Sequence, residues 1–305
     1  MQFSKLLDER LEIKSESGLD LTERSYVLSL LNGFENKEWR YSAFHEFIWD
    51  NIAETALTKR ERDALVGKAH SVLVSAAKNL RLTDKATDIG AGSELAEAVL
   101  YGFMKSHYSA LPVVPKIFYK QNTQDNAKGA DSVHITVSDL GDFSLWFGEA
   151  KFYSSIEDAR LASIITSVGE SLRPDKLKKE NAIICNVRDL DDLVLDPELR
   201  GKIKAALANG VSIDEIKPRL NVPILLLHAC DITKGAEAWS DAYKASMVQF
   251  HKDRAKTYLE KQLAALGASV HLYESITFHV ILFPVPDKGE VVKRFLKAVE
   301  FYKGS

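Results

Sequence analysis

Leu145-Trp146-Phe147-Gly148-Glu149-Ala150-Lys151-Phe152-Tyr153 is an apolar, aromatic run that reads as a buried β-strand, interrupted near its end by a carboxylate and an ammonium two residues apart. Residues i and i+2 of a strand share a face, so Glu149 and Lys151 project together. Charge is costly in such a place unless it is paired or bound to a metal. The residues around this strand must therefore say what the two charges are for.

The segment before it pairs with it residue by residue. Asp131–Ser138 alternates in polarity, and so does Phe143–Glu149. Asp139-Leu140-Gly141 between them fits a three-residue hairpin loop with glycine in the left-handed conformation. That loop sets Val137 opposite Phe143, Ile135 opposite Leu145, Val133 opposite Phe147 and Asp131 opposite Glu149. One face of the hairpin is then wholly aliphatic and aromatic, closed at its end by Asp131, Glu149 and Lys151. A slip of one residue would mix the faces, so the register is strongly specified.

Working outward, Asp88-Ile89-Gly90-Ala91-Gly92 is a breaker, and Ser93 is placed to cap a helix from Glu94 to about Ser106. Pro112–Lys120 reads as a first strand and residues 121–130 as a loop. After the central strand, Ser155-Ile156-Glu157-Asp158 resembles a capping box that opens a helix. Its stripe is Leu161, Ile164, Ile165, Val168 and Leu172, and Pro174 ends it. Ala182–Val187 reads as a fourth, buried strand. The core order is thus αβββαβ over residues 89–190. Residues 1–88 form a mainly helical region, mixed up to Gly33 and helical from about Asn36 to Leu80. Residues 191–305 form an α/β extension with helices in 198–219, a strand at Val222–Cys230, a long helix over about 236–266, a strand at Ile276–Phe283 and a closing helix from about Lys288.

The chain has 305 residues, 46% hydrophobic and 27% charged, an ordinary globular composition. No apolar run approaches the ~20 residues of a membrane span and the first residues show no signal-peptide pattern, so a cytoplasmic protein is expected. Cys185 and Cys230 lie in apolar runs without zinc-like spacing and read as reduced core residues. A net charge of −3 lacks the basic footprint of a free-standing DNA-binding domain. If the chain handles nucleic acid, local lysines, bound cations or a partner must offset phosphate repulsion.

Glu-x-Lys triplets are common, and four occur here: Glu12/Lys14, Glu35/Lys37, Glu149/Lys151 and Glu215/Lys217. Three stand in polar helical or loop contexts, where a surface ion pair or nothing is expected. Only Glu149/Lys151 ends an apolar strand, and only it has a carboxylate set opposite by a hairpin. Two carboxylates on adjacent strands suit a hard divalent cation such as Mg²⁺ (or Mn²⁺), which neutralises a scissile phosphate. Lys151 would orient or help deprotonate the attacking water, or stabilise developing negative charge. A third acid would come from the preceding helix, where Glu94 and Glu97 share a face; Glu97 is favoured.

Asp131 followed by Glu149-Ala150-Lys151 on an αβββαβ core resembles the PD-(D/E)xK nuclease superfamily, with its restriction-endonuclease-like mixed sheet flanked by helices. Pro115–Lys120, Gly129–Ile135 and Leu145–Tyr153 resemble more closely the HamA family, effector subunits of Hachiman anti-phage defence systems. The similarity spans about residues 90–190. It implies a DNase with Asp131, Glu149 and Lys151 in the catalytic positions, Asp131 and Glu149 holding the metal, and a HamB-like superfamily 2 helicase as partner. Asp131 follows alanine where the superfamily motif has proline.

Lys116 and Lys120 are candidates for phosphate contact, or are solvated strand-flanking lysines. His134 and Trp146 should point to the hairpin face away from Asp131. Ser154 and Ser155 are capping residues before nucleophiles, since no His/Asp arrangement supports them. His228 and His279, within apolar strands, read as core histidines. The main alternative to a nuclease is a non-catalytic sensor or scaffold of nuclease fold in a DNA-binding complex. A restriction-type enzyme working alone is disfavoured by the missing basic footprint.

Overall fold

The alternating and all-apolar runs become strands and most 3.6-period runs become helices in a computed structural model, which describes residues 3–15, 18–82, 92–120 and 129–305, with the side chain of Lys120 outside that description. The chain opens with β1 (Ser4–Arg10), β2 (Ser25–Leu31) and a small ribbon, β3 (Phe34–Glu35) against β4 (Glu38–Trp39). Helices α1 (Tyr41–Ala56), α2 (Lys59–Ala64), α3 (Ala69–Asn79) and α4 (Ser93–Ser106) follow. Then come β5 (Leu111–Val114), α5 (Lys116–Lys120), β6 (Ser132–Val137), β7 (Phe143–Tyr153), α6 (Asp158–Ser171) and α7 (Pro174–Asn186). The remainder is α8 (Asp189–Leu193), α9 (Pro197–Ala206), α10 (Ile213–Ile216), β8 (Leu220–Ala229), α11 (Asp231–Lys234), α12 (Asp241–Leu266), β9 (Thr277–Val285) and α13 (Lys288–Gly304).

Seven strands make one mixed sheet in the order β1-β2-β9-β8-β7-β6-β5. β2, β9, β8 and β7 run parallel, with one antiparallel strand, β1, at one edge and two, β6 and β5, at the other. β8 and β9 are almost wholly apolar, with Ile224–Leu227 and Val280–Phe283 at their centres, because parallel strands covered on both faces bury both sets of side chains. One face packs on α6, α7, α9 and α12 through Leu161, Ile184, Ile203 and Leu259. The other packs on α1, α3, α4 and α13 through Phe44, Ala76, Val99 and Phe295. The result is the expected mixed sheet flanked by helices.

The hairpin forms in the expected register. Val137 pairs with Phe143, Ile135 with Leu145 and Val133 with Phe147. The loop closes as read, with Gly141 at φ 71° and Ser138 N–H donating to Asp142 O at 2.8 Å.

Four readings change. Ala182–Val187 is not a strand: all but its last residue belong to α7, which starts at Pro174 and buries Leu177, Glu180, Asn181 and Ile184 at helical spacing. Pro174 ends one helix and opens the next, because its fixed φ and missing N–H suit a first helical position. The last strand of the αβββαβ order is therefore β8, which pairs parallel with β7. Pro112–Lys120 is a strand only to Val114; after Pro115 the chain turns into α5. Residues 1–33 supply two strands to the sheet, ahead of the helices. Both cap assignments move: Gly92, at φ 91°, caps α4 in place of Ser93, and Glu157 precedes α6 without a side-chain cap bond. Residues 88–91 of the breaker and 121–128 of the loop lie outside the described residues.

Candidate active site

β7 carries Glu149 and Lys151 on the same face as Leu145 and Phe147, while Trp146, Ala150 and Phe152 pack on the opposite side. Gly148 is required where the strands crowd. A Cβ there would stand 2.3 Å from Ser132 Oγ, 2.9 Å from Leu100 Cδ2 and 3.0 Å from Pro223 Cγ. Asp131 lies one residue before β6 and is fastened to β7 twice. Its N–H donates to Gly148 O at 2.8 Å, and its Oδ2 accepts from Ala150 N–H at 3.1 Å. The register so brings Asp131 beside Glu149, as expected.

Asp131 Oδ2 also lies 3.8 Å from Lys151 Nζ. Glu149 is 4% exposed, and the Lys151 side chain keeps 25% of its surface. Burial, the largest single influence, pulls the Lys151 pKa down. The charges of Asp131 and Glu149, with smaller contributions from Tyr153 and Glu97, outweigh it and hold the pKa above the ordinary lysine value.

The two helix acids part company. Glu94 turns to the segment after α3, where its two oxygens accept from Arg81 N–H at 2.8 Å and Leu82 N–H at 2.9 Å. Glu97 is 5% exposed, and its charge reaches Lys151. Glu97 therefore belongs with the cluster, and Glu94 closes a connection.

Asp131, Glu149 and Lys151 open into a cleft of about 420 Å³. Gly129, Asp131, Glu149 and Lys151 form one wall; Thr166, Ser167, Glu170 and Ser171 of α6 and Lys176 of α7 form the other. The second wall was not visible in the sequence. Its only signal is the polar face of α6 beside the apolar stripe, and nothing local says which polar residues turn inward.

Lys116 corrects a reading. It is neither a phosphate contact nor solvated, but fully buried, with Nζ at 2.7 and 3.0 Å from the two carboxylate oxygens of Glu180. The side chain of Lys120, the companion candidate, lies outside the described residues.

His134 and Trp146 point away from Asp131, as expected. His134 is fully buried against Tyr101, and burial lowers its pKa to about 3. Trp146 donates from Nε1 to Thr136 Oγ1 at 2.9 Å and packs on His279. His279 Nε2 meets Asn221 Oδ1 at 3.0 Å, and His228 Nδ1 meets Leu226 O at 3.0 Å. Both cysteines are free thiols. Of the other Glu-x-Lys triplets, Glu12/Lys14 is an exposed ion pair, while Lys37 pairs with Glu237 and Lys217 with Asp214.

Among the described residues, no group of three or more His, Cys, Asp and Glu side chains is arranged to hold a metal by itself, and no helix is long and apolar enough to cross a membrane. No curated protein is similar enough to match this chain. A family model does match, over residues 3–299, and its description is HamA. With nearly the whole length covered, the chain belongs to the HamA family, a component of the Hachiman antiviral defence system.

Proposed function

We propose that this chain is a metal-dependent DNA endonuclease, the effector of an anti-phage complex, acting in the cytoplasm with a superfamily 2 helicase subunit of HamB type. The observation that carries the reading is the juxtaposition of Asp131, Glu149 and Lys151 on adjacent strands at a cleft wall. Two neighbouring carboxylates that can hold a metal ion, beside one ammonium, are a set that suits metal-assisted phosphodiester hydrolysis.

The donor chemistry fits Mg²⁺ or Mn²⁺. Asp131 and Glu149 offer hard oxygen ligands, and their number agrees with the habit of Mg²⁺ to take one or two carboxylates and complete its shell with water and phosphate oxygens. When bound, such an ion supplies charge neutralisation and a more acidic water. The protein's own part is positional and electrostatic. Asp131 is held by the Ala150 N–H, so its carboxylate is presented without reorganisation. Lys151 would set a positive charge beside the developing negative charge on phosphorus-bound oxygen, and Glu97, whose charge reaches Lys151, would add a third carboxylate to the cluster. Lys176 and the Ser167 hydroxyl give the opposite wall groups that can donate to phosphate oxygens, while the hydroxyls of Thr166 and Ser171 already donate to Ala162 O and Val168 O.

The net charge of −3 supports a division of labour. A chain without a basic footprint holds DNA poorly alone, and a helicase partner supplies both affinity and a separated strand.

One observation favours a second reading. Lys151 lies 3.8 Å from Asp131 and Ala150 N–H bonds the same oxygen, so the charges are already answered within the protein, as in a non-catalytic scaffold. Cleavage of plasmid and linear DNA, with and without the co-purified partner and ATP, separates the two. Mg²⁺-dependent cutting supports the nuclease, and no cutting in any arm, with no Asp131- or Glu149-dependent Mg²⁺ or Mn²⁺ binding, supports the scaffold.

A further inference from the structure

Lys116 is 0% exposed and Glu180 is 2% exposed, and they face each other in the interior. Burying two charges costs desolvation that their attraction only partly returns, so a pair of apolar residues would commonly serve stability as well. What an apolar pair could not do is bond the backbone. Glu180 Oε1 accepts from Ala130 N–H at 3.1 Å, one residue before Asp131. The approach is so close that a Cβ on Gly129 would fall 1.9 Å from the same oxygen. Lys116 holds that carboxylate from the other side with both of its contacts. The backbone N–H of Lys116 donates to Tyr101 OH at 3.2 Å, and Tyr101 OH donates to Val114 O at 2.5 Å. Tyr101 stands one helical turn after Glu97 on α4.

We infer that the Lys116–Glu180 pair is a positioning device for the acid cluster: Glu180 sets the backbone that presents Asp131, and Lys116 links it through Tyr101 to the helix that carries Glu97. The inference rests on the nuclease reading and deepens it. Asp131 stands between Ala130 and the start of β6 at Ser132, so its aim depends on what fixes Ala130. β7 fixes Asp131 from one side, through Gly148 O and Ala150 N–H; Glu180 fixes its neighbour from the other. A carboxylate serves because it can accept from Ala130 and from Lys116 together. Neither residue touches the cleft, so neither acts on substrate.

The test uses two double variants of the full chain in its partner complex. Lys116→Met with Glu180→Gln removes both charges and keeps an oxygen for the Ala130 N–H. Lys116→Met with Glu180→Leu removes both charges and the acceptor. Neither leaves a lone buried charge, so both should melt within a few degrees of the wild type. The acceptor-bearing variant should cleave within about threefold of the wild type. The acceptor-free one should lose at least about tenfold in kcat, with KM for DNA changed less than about twofold, as expected for small misplacement of a reacting group. Equal kcat in a folded acceptor-free variant overturns the inference, because a merely structural pair moves the melting temperature and not the kcat-to-KM split. Should that variant not fold, Glu180→Asp, which withdraws the carboxylate from Ala130 but keeps the charge, decides instead: a fall in kcat alone supports the inference and an unchanged kcat overturns it. A wild-type complex that does not cut DNA removes the nuclease reading and this inference together. A wild type that cuts, beside an acceptor-free variant that cuts equally, removes the inference only.

Discussion

Asp131 is tied to the strand that carries its partners: Oδ2 accepts the Ala150 N–H at 3.1 Å, between Glu149 and Lys151 in sequence. The bond converts a hairpin register into a fixed distance between carboxylates. It also means that what disturbs the pairing of Asp131 with β7 disturbs the site, even from the opposite face of the sheet.

Gly148→Ala is the sharpest such disturbance. The added methyl would meet Ser132 Oγ at 2.3 Å and Leu100 Cδ2 at 2.9 Å, in a ladder where Ser132 pairs directly with Gly148. Overpacking of this kind costs about 1–3 kcal/mol. Chemical denaturation should show that loss, and cleavage should fall further than stability alone explains.

Glu97 and Glu94 should separate in function. Glu97→Gln, beside Lys151, should lower cleavage at least about tenfold with little effect on folding. Glu94→Gln weakens the acceptor of the Arg81 and Leu82 N–H groups and should cost about 1 kcal/mol of stability while cleavage is retained. Kinetics and melting of both variants check this. Inactivity of Glu94→Gln with wild-type activity of Glu97→Gln would reverse the assignment.

Stability should fall on the acid side of neutrality. Burial lowers the pKa of His134 and His279 to about 3, that of His228 to about 4, and that of His251 well below its usual 6.5. The folded protein thus keeps these rings neutral where the unfolded chain takes up protons. Their contribution is fully present above pH 6.5 and is lost as the pH falls from 6.5, towards about 4 for His228 and about 3 for His134 and His279. Each contributes a slope of up to about 1.4 kcal/mol per pH unit. Melting temperatures measured from pH 7.5 to pH 5 should be level above 7 and drop steeply below 6.5. A level profile throughout would contradict the burial of these rings.

The sequence spoke clearly where a short-range rule had one solution. Period-two alternation with Gly141 in the loop allowed one register, and that register placed Asp131 beside Glu149. It was ambiguous where the deciding contact is long-range. Ala182–Val187 is apolar enough for a buried strand or a buried helix, and only the side that Leu177 and Ile184 pack against settles it. Glu94 and Glu97 share a helix face by spacing, but Arg81 and Leu82 claim the first. Lys116 looked like a surface lysine because Glu180 lies far along the chain.

The most direct test of the central claim is DNA cleavage by the partner complex with ATP and Mg²⁺, comparing the wild type with Glu149→Ala and Lys151→Ala. Both variants should fold, bind the partner and lose cleavage by at least about a hundredfold. Cleavage by either variant at the wild-type rate would contradict the claim.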